Sequence, residues 1–312
     1  MENQIKKSEI LFLYETSYNI PNGDPFTGEQ RYDEETKKIL VSDVRIKRYI
    51  RTYFEEKEIP IYVSEKTGVG KTDSKGVLKW IAENRNPNNI LDVADLLKEQ
   101  IDVRLFGGIS TLGDDAKKIK VDNKEMKNGH TQFTGPVQFS MLNPSLNEVN
   151  LRMHQNTTHF TSKADNTQGS IGTTTLVPYS LVQIHGWVNP KVAEITGMTK
   201  EDLKLMYEGL WYGTSGYGSS HSRSKVGQNS VLLLEIVYKE DNKKIYGVDR
   251  LIRLDSEKKG EELRSMDDYK LDFSKLFEIA NSGKVDKIRY YTEIESIESK
   301  LLNKNKFEKI EL

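Results

Sequence analysis

Apolar positions along this chain come in short blocks separated by long polar stretches. Ile10 to Tyr18 is a near-continuous aliphatic and aromatic run, closed by Pro21-Asn22-Gly23-Asp24-Pro25, which predicts a buried strand with a tight exit. Ser42-Asp43 then stands where an N-cap belongs. Ile46, Tyr49, Ile50 and Tyr53 repeat at i, i+3, i+4 and i+7 behind it, predicting a helix. Gly135 to Leu142 and Tyr179 to Val188 read as further core strands. A Thr199-x-x-Asp202 pattern opens a second helix with Leu203, Met206, Tyr207, Leu210 and Trp211 on its apolar side, and Val231 to Tyr238 is the clearest strand. Beyond it the pattern predicts a helix over Phe273 to Asn281 and a strand over Lys287 to Tyr291.

The core order is therefore strand, helix, two strands, helix, strand. This predicts an α+β fold built on a ferredoxin-like βαββαβ sheet of the RNA-recognition type, with large insertions. Glu65 to Asn89 reads as a polar, loop-rich lobe, Ile90 to Gln100 as a short amphipathic helix, and Asp114 to Gly129 as charged and exposed. Gly107 and Gly108 follow an apolar run, where they let the backbone pass close to a neighbouring element or to a ligand. Between Asn150 and Thr175 hydrophobic periodicity nearly disappears, leaving Phe160 and Ile171 isolated among polar residues; a long structureless insertion of this kind belongs to function or to disorder. Residues 213–228 form a Gly/Ser loop carrying Arg223 and Lys225, short enough to be presented by one domain.

Charge redirects attention to one helix. Lys plus Arg number 46 against 47 Asp plus Glu, so the chain as a whole does not attract a polyanion and any such binding must come from local clustering. Arg45, Lys47, Arg48 and Arg51 fan across the polar side of the first helix with few acidic partners between Arg45 and Thr52, which favours a polyanion over an ordinary salt-bridged face. There are no cysteines, which excludes disulfides and thiolate metal sites and agrees with a reducing cytoplasm. The N-terminal apolar run is too short for a signal or a membrane span. Gly70-Lys71-Thr72 lacks the glycine that a phosphate loop needs five residues earlier, where Glu65 stands. The five histidines have no metal-ligand spacing, and His185 reads as structural. Asp24 and Asp43 could hold a divalent ion for phosphodiester cleavage, but a turn and a helix N-terminus explain them more simply.

Several stretches together resemble one family. Asn19 to Pro25, Val41 to Arg48, Asp102 to Gly108, and the run from Leu176-Val177-Pro178-Tyr179 through Trp187 look like the backbone subunit of type I CRISPR Cascade complexes, in the RAMP superfamily. The nearest subgroup is the Csh and Csd type of subtypes I-B and I-C, and the resemblance covers most of residues 8–240. It implies an RNA-recognition-like palm within a single domain, with a finger insertion at 56–105, a thumb at 150–175, and an extension at 240–312 to which it assigns no role. Copies would polymerise along a CRISPR RNA and present its bases for pairing with target DNA. The other implied partners are the large subunit, a cap subunit at the guide 5′ end and the repeat-processing endonuclease; no cofactor, metal or cleavage is implied. Carried onto this sequence, Ser42, Arg45, Lys47 and Arg48 become guide-phosphate contacts, and Phe106, Gly107, Gly108 and Ile109 a close backbone approach with Ile109 touching a base. Ile171, Gly172 and Thr173 become the thumb tip, and Arg223 and Lys225 loop contacts. Type III relatives cleave target RNA with an aspartate in the equivalent subunit, so the alternative is a metal-dependent ribonuclease using Asp24 or Asp43. A purely structural oligomer would leave the basic helix unexplained.

Overall fold

The computed structural model describes residues 4–64, 73–158, 170–216 and 223–312. Its centre is a seven-stranded mixed sheet. The strands are β1 (Ser8–Asn19), β2 (Val137–Phe139), β3 (Arg152–Thr158), β4 (Ser170–Val188), β5 (Gln228–Tyr238), β6 (Val285–Tyr291) and β7 (Phe307–Lys309). In space they run β3-β4-β1-β5-β6-β7, with β2 also paired to β4; every pair is antiparallel except β6 with β7.

Strand β1 lies in the middle because it is apolar on both sides. Ile10, Phe12 and Tyr14 pack against helices α1 (Asp43–Glu56) and α2 (Lys200–Thr214) through Ile46, Tyr49, Ile50, Met206, Tyr207 and Leu210. Leu11 and Leu13 face the other way and, with Leu181, Leu232 and Leu234, meet Ile245, Leu251, Phe273 and Leu276 of the C-terminal segment. A strand covered on both faces loses polar alternation, which is why Ile10 to Tyr14 reads as an unbroken hydrophobic run. Each such side chain contributes roughly 1.5–3 kcal/mol of burial. Both helices begin where the caps predict. Ser42 Oγ accepts from the Arg45 amide at 3.3 Å, and Thr199 and Asp202 form a reciprocal capping box.

Three expectations are corrected. Within the stretch expected to be a polar loop, Ser74–Asn84 is a helix capped by Asp73, and Val77, Leu78, Ile81 and Ala82 enter a separate small core with Val93, Leu97, Val103 and Met126. That core also takes Ala116, Ile119 and Val121 from the stretch expected to be exposed, and Phe133 packs on it, so the lobe continues past residue 105. Secondly, the stretch expected to lack structure holds two paired strands, with Arg152 opposite Leu176 and Thr158 opposite Ser170. A ladder satisfies its backbone without an apolar face, and the β-branched Thr157, Thr158, Thr173, Thr174 and Thr175 favour it. Residues 159–169, including Phe160, lie outside the described residues, as does Gly70-Lys71-Thr72. Thirdly, Gly135 to Leu142 is not one strand: β2 stops at Phe139, and Leu142–Pro144 pairs instead with Lys38–Ser42. Among the described residues no helix is long and apolar enough to cross a membrane.

Candidate nucleic-acid interface

The end of the sheet where β1 stops gathers three segments: the turn after Asn19, the first turn of α1, and residues 224–228 leading into β5. Asn22 Oδ1 accepts from the Ser42 amide at 2.7 Å while its own amide donates to Gln30 Oε1 at 2.9 Å, which ties the turn to the helix cap. On the other side Asn19 Nδ2 donates to the Val226 carbonyl at 2.8 Å, the Ser17 amide to Gly227 at 3.0 Å, and the Ile20 amide to Ser224 at 2.9 Å. These tethers hold Lys225 close to Arg45.

Neither cation forms an ion pair among the described residues. The Arg45 guanidinium lies 4.1 Å from the Tyr49 ring centroid with its Nε unpartnered, and Lys225 Nζ donates to the Ile20 carbonyl. Burial, and then the Arg45 charge, push the Lys225 pKa down to about 8. Two half-buried, mutually repelling cations beside a helix N-terminus make a positive field suited to an anion.

The rest of the basic row behaves differently. Contrary to the expectation that i, i+4 salt bridges explain little of this row, Lys47 pairs with Asp43 at 3.0 Å in that spacing, and Arg51 Nε donates to the fully buried Asp102 at 2.8 Å. Arg48 is half-buried and already engaged. Asp102 also accepts from the Tyr62 and Val63 amides at 2.7 and 3.1 Å, and Arg104 grips Asp202 of α2 through two bonds of 2.9 and 2.7 Å. The Asp102-to-Gly108 motif is thus the joint between α1, α2 and the small lobe. Asp102→Ala leaves Arg51 and two amides without their acceptor. We expect it to cost about 3–5 kcal/mol in chemical denaturation; a loss below about 1 kcal/mol, the range of an exposed pair, would remove Asp102 from this role.

The glycines of that motif approach protein. Gly107 has φ +80°, and a Cβ there would lie 2.3 Å from the Phe133 carbonyl oxygen; one on Gly135 would lie 2.1 Å from the Phe106 carbonyl carbon. Of the two roles open to them, packing against a neighbouring strand accounts for Gly107. Gly108 sits over Val103, Phe106 is buried against Phe139, and Ile109 is exposed.

Ile171, Gly172 and Thr173 lie on the arm, opposite Thr157, Asn156 and Gln155. The base of that arm touches the turn segment through Thr175 Oγ1 and Glu29 Oε1 at 3.4 Å. The side chains of Ile171 and Arg223 lie outside the described residues; the Arg223 backbone forms one helical turn with Lys225. Sequence reasoning missed Asn19 and Asn22 as the tethers of the cationic pair, because a polar residue in a turn carries the same signature whether it shapes the turn or ties it down. His185, expected to be structural, has its Nε2 2.7 Å from Glu9, which also accepts from the Tyr238 hydroxyl at 2.6 Å.

Comparison with known proteins gives a consistent pattern. The family model for CRISPR-associated protein Cas7 matches residues 6–274. A CRISPR-associated protein Cas7 of Haloferax volcanii is 30% identical over 289 residues, covering 88% of this chain and 82% of that protein. A chain of a CRISPR RNA-guided surveillance complex in a pre-nicking state superposes with TM-score 0.52 at 12% identity, covering 98% of this chain and 96% of that one. A chain of a second CRISPR RNA-guided surveillance complex superposes with TM-score 0.50 at 13% identity, covering 93% and 90%.

Proposed function

This chain belongs to the Cas7 family of CRISPR-associated proteins, and from that premise we propose that it is a backbone subunit that binds CRISPR RNA through phosphate and sugar, polymerises along it and presents its bases to target DNA. The observation that carries the proposal is the Arg45–Lys225 pair: two tethered cations that form no ion pair among the described residues, at the N-terminus of α1. Contacts of this kind hold a strand without reading it, which a protein serving many guides requires, and sequence is then read by pairing.

The finer reading is a type I Cascade subunit of the I-B or I-C kind, assembling with a large subunit, a cap subunit and a repeat-processing endonuclease. The spatial order β5-β1-β4-β2, antiparallel throughout and with α1 and α2 on one face, supports a βαββαβ palm. The C-terminal segment closes the other face, so the guide would cross the end of this sheet rather than stack on its surface. The Tyr62-to-Phe133 lobe takes the part of the finger, and the β3–β4 arm that of the thumb, with Ile171 as its apolar wedge. Ser42 contributes through the helix cap, and Lys47, Arg48, Ile109, Gly172, Thr173 and Arg223 remain proposed contacts beside Arg45 and Lys225.

The test is binding of two unrelated single-stranded RNAs of equal length. Equal affinities that fall linearly on a log–log plot against salt are expected. A preference for one sequence, or a flat salt dependence, would refute the assignment. The same preparation with magnesium or manganese is expected to leave the RNA uncut, because Asp43 is paired to Lys47 and Asp24 to Arg31 at 3.2 Å while holding its turn through the Phe26 amide at 2.9 Å. Cleavage lost in Asp24→Asn or Asp43→Asn would promote the ribonuclease instead.

A further inference from the structure

Tyr18 has a φ of +49°. Left-handed backbone is uncommon outside glycine and asparagine, and for a bulky ring it persists only where neighbours over-determine it. Here they do. Asn19 bonds the Val226 carbonyl and the Thr16 hydroxyl, Ser17 bonds Gly227 through its amide and Pro178 through its hydroxyl, and Ile20 bonds Ser224. A glycine would satisfy the same turn without strain. What the tyrosine adds is a ring held outward, 62% exposed, on the turn tethered to Val226, itself 63% exposed and next in the chain to Lys225.

We infer that Tyr18 is a stacking platform for one base of a single-stranded RNA whose adjoining phosphate sits at Arg45 and Lys225. The inference rests on the RNA-binding proposal. A ring presented from a pinned turn loses little freedom on contact, and every base offers a face to it, so stacking adds affinity without adding sequence preference. Val226, exposed and held through its carbonyl by Asn19, adjoins Lys225 on the same tethered segment.

The experiment compares a short oligoadenylate with an abasic ribose-phosphate oligomer of equal length, using the full chain and the variants Tyr18→Gly, Tyr18→Trp and Arg45→Glu. Wild type is expected to prefer the oligoadenylate. Tyr18→Gly is expected to lose about 5- to 150-fold of that affinity, the range for one stacked base, with abasic binding unchanged and thermal melting no lower than wild type. Tyr18→Trp should retain the preference. If Tyr18→Gly binds both ligands as wild type does while Arg45→Glu loses both, stacking is overturned and the RNA site stands. If Arg45→Glu also binds both normally, the RNA site itself fails. If Tyr18→Gly binds the short oligomer normally but no longer assembles on long RNA, the ring packs against a second copy of the chain and the stacking assignment is wrong.

Discussion

Arg45→Glu combined with Lys225→Glu is expected to abolish measurable RNA binding at physiological salt while leaving the circular-dichroism spectrum unchanged. The two cations are half-buried and side by side, and neither is neutralised by a carboxylate among the described residues. Reversal therefore removes two attractive charges and installs two repulsive ones where a phosphate should sit. Single neutral variants should flatten the salt slope by about one unit for each phosphate they no longer neutralise. A pH dependence follows from the same pair. Lys225 in the free protein loses its proton through about 8, below the ordinary lysine value, so affinity should be highest below that pH and decline as pH rises from 7 to 9. A bound phosphate favours the charged form, so binding near pH 8 should take up a proton, detectable as a buffer-dependent enthalpy in calorimetry. Lys225→Arg should remove the dependence. An unchanged salt slope in the double variant, or a flat pH profile in the wild type, would take the pair out of the site.

Replacing Met153 to Thr174 by a short Gly/Ser turn is expected to eliminate assembly on long RNA without unfolding the protein. Arg152, Met153, His154 and Gln155 are exposed, and neither they nor Thr173 and Thr174 belong to any of the three apolar clusters, so among the described side chains the excision removes no core packing. The seven residue pairs of the arm span roughly 20 Å at the usual rise per residue. Binding of a short oligomer to the Arg45–Lys225 site should survive. Regular protection of a long RNA in chemical probing should vanish. If the shortened protein spaces the RNA as before, the arm is not a thumb.

Much of the core was legible because burial leaves a periodic trace. The Ser42 cap, the helix stripe through Tyr53, the Thr199–Asp202 box and the β5 run all formed as expected. Two kinds of feature were not legible. Ser74–Asn84 hid behind a glycine-rich polar approach although Asp73 and the Val77, Leu78, Ile81 and Ala82 spacing marked it, so composition outweighed a pattern that was present. The arm left no trace because a ribbon held by its own ladder needs no apolar face. For the site, sequence separated cations by residue type but not by partner. Only the fold shows Lys47 and Arg51 committed to Asp43 and Asp102, and Lys225, remote in sequence, brought to Arg45.

Strand β4 runs unbroken from Ser170 to Val188, so the arm and the middle of the sheet are one piece of backbone. Its inner half is locked in register against β1, with Leu13 opposite Gln183 and Leu11 opposite His185. Slippage by one residue would exchange the two apolar layers, sending Val182 and Ile184 to the side packed by Tyr179 and Leu181, so the core forbids it. The direction in which the arm leaves the sheet is therefore set by apolar packing far from its end. Under the proposed function every copy would carry the same arm, oriented by its own interior, and a string of copies would keep an even pitch whatever RNA lay along it.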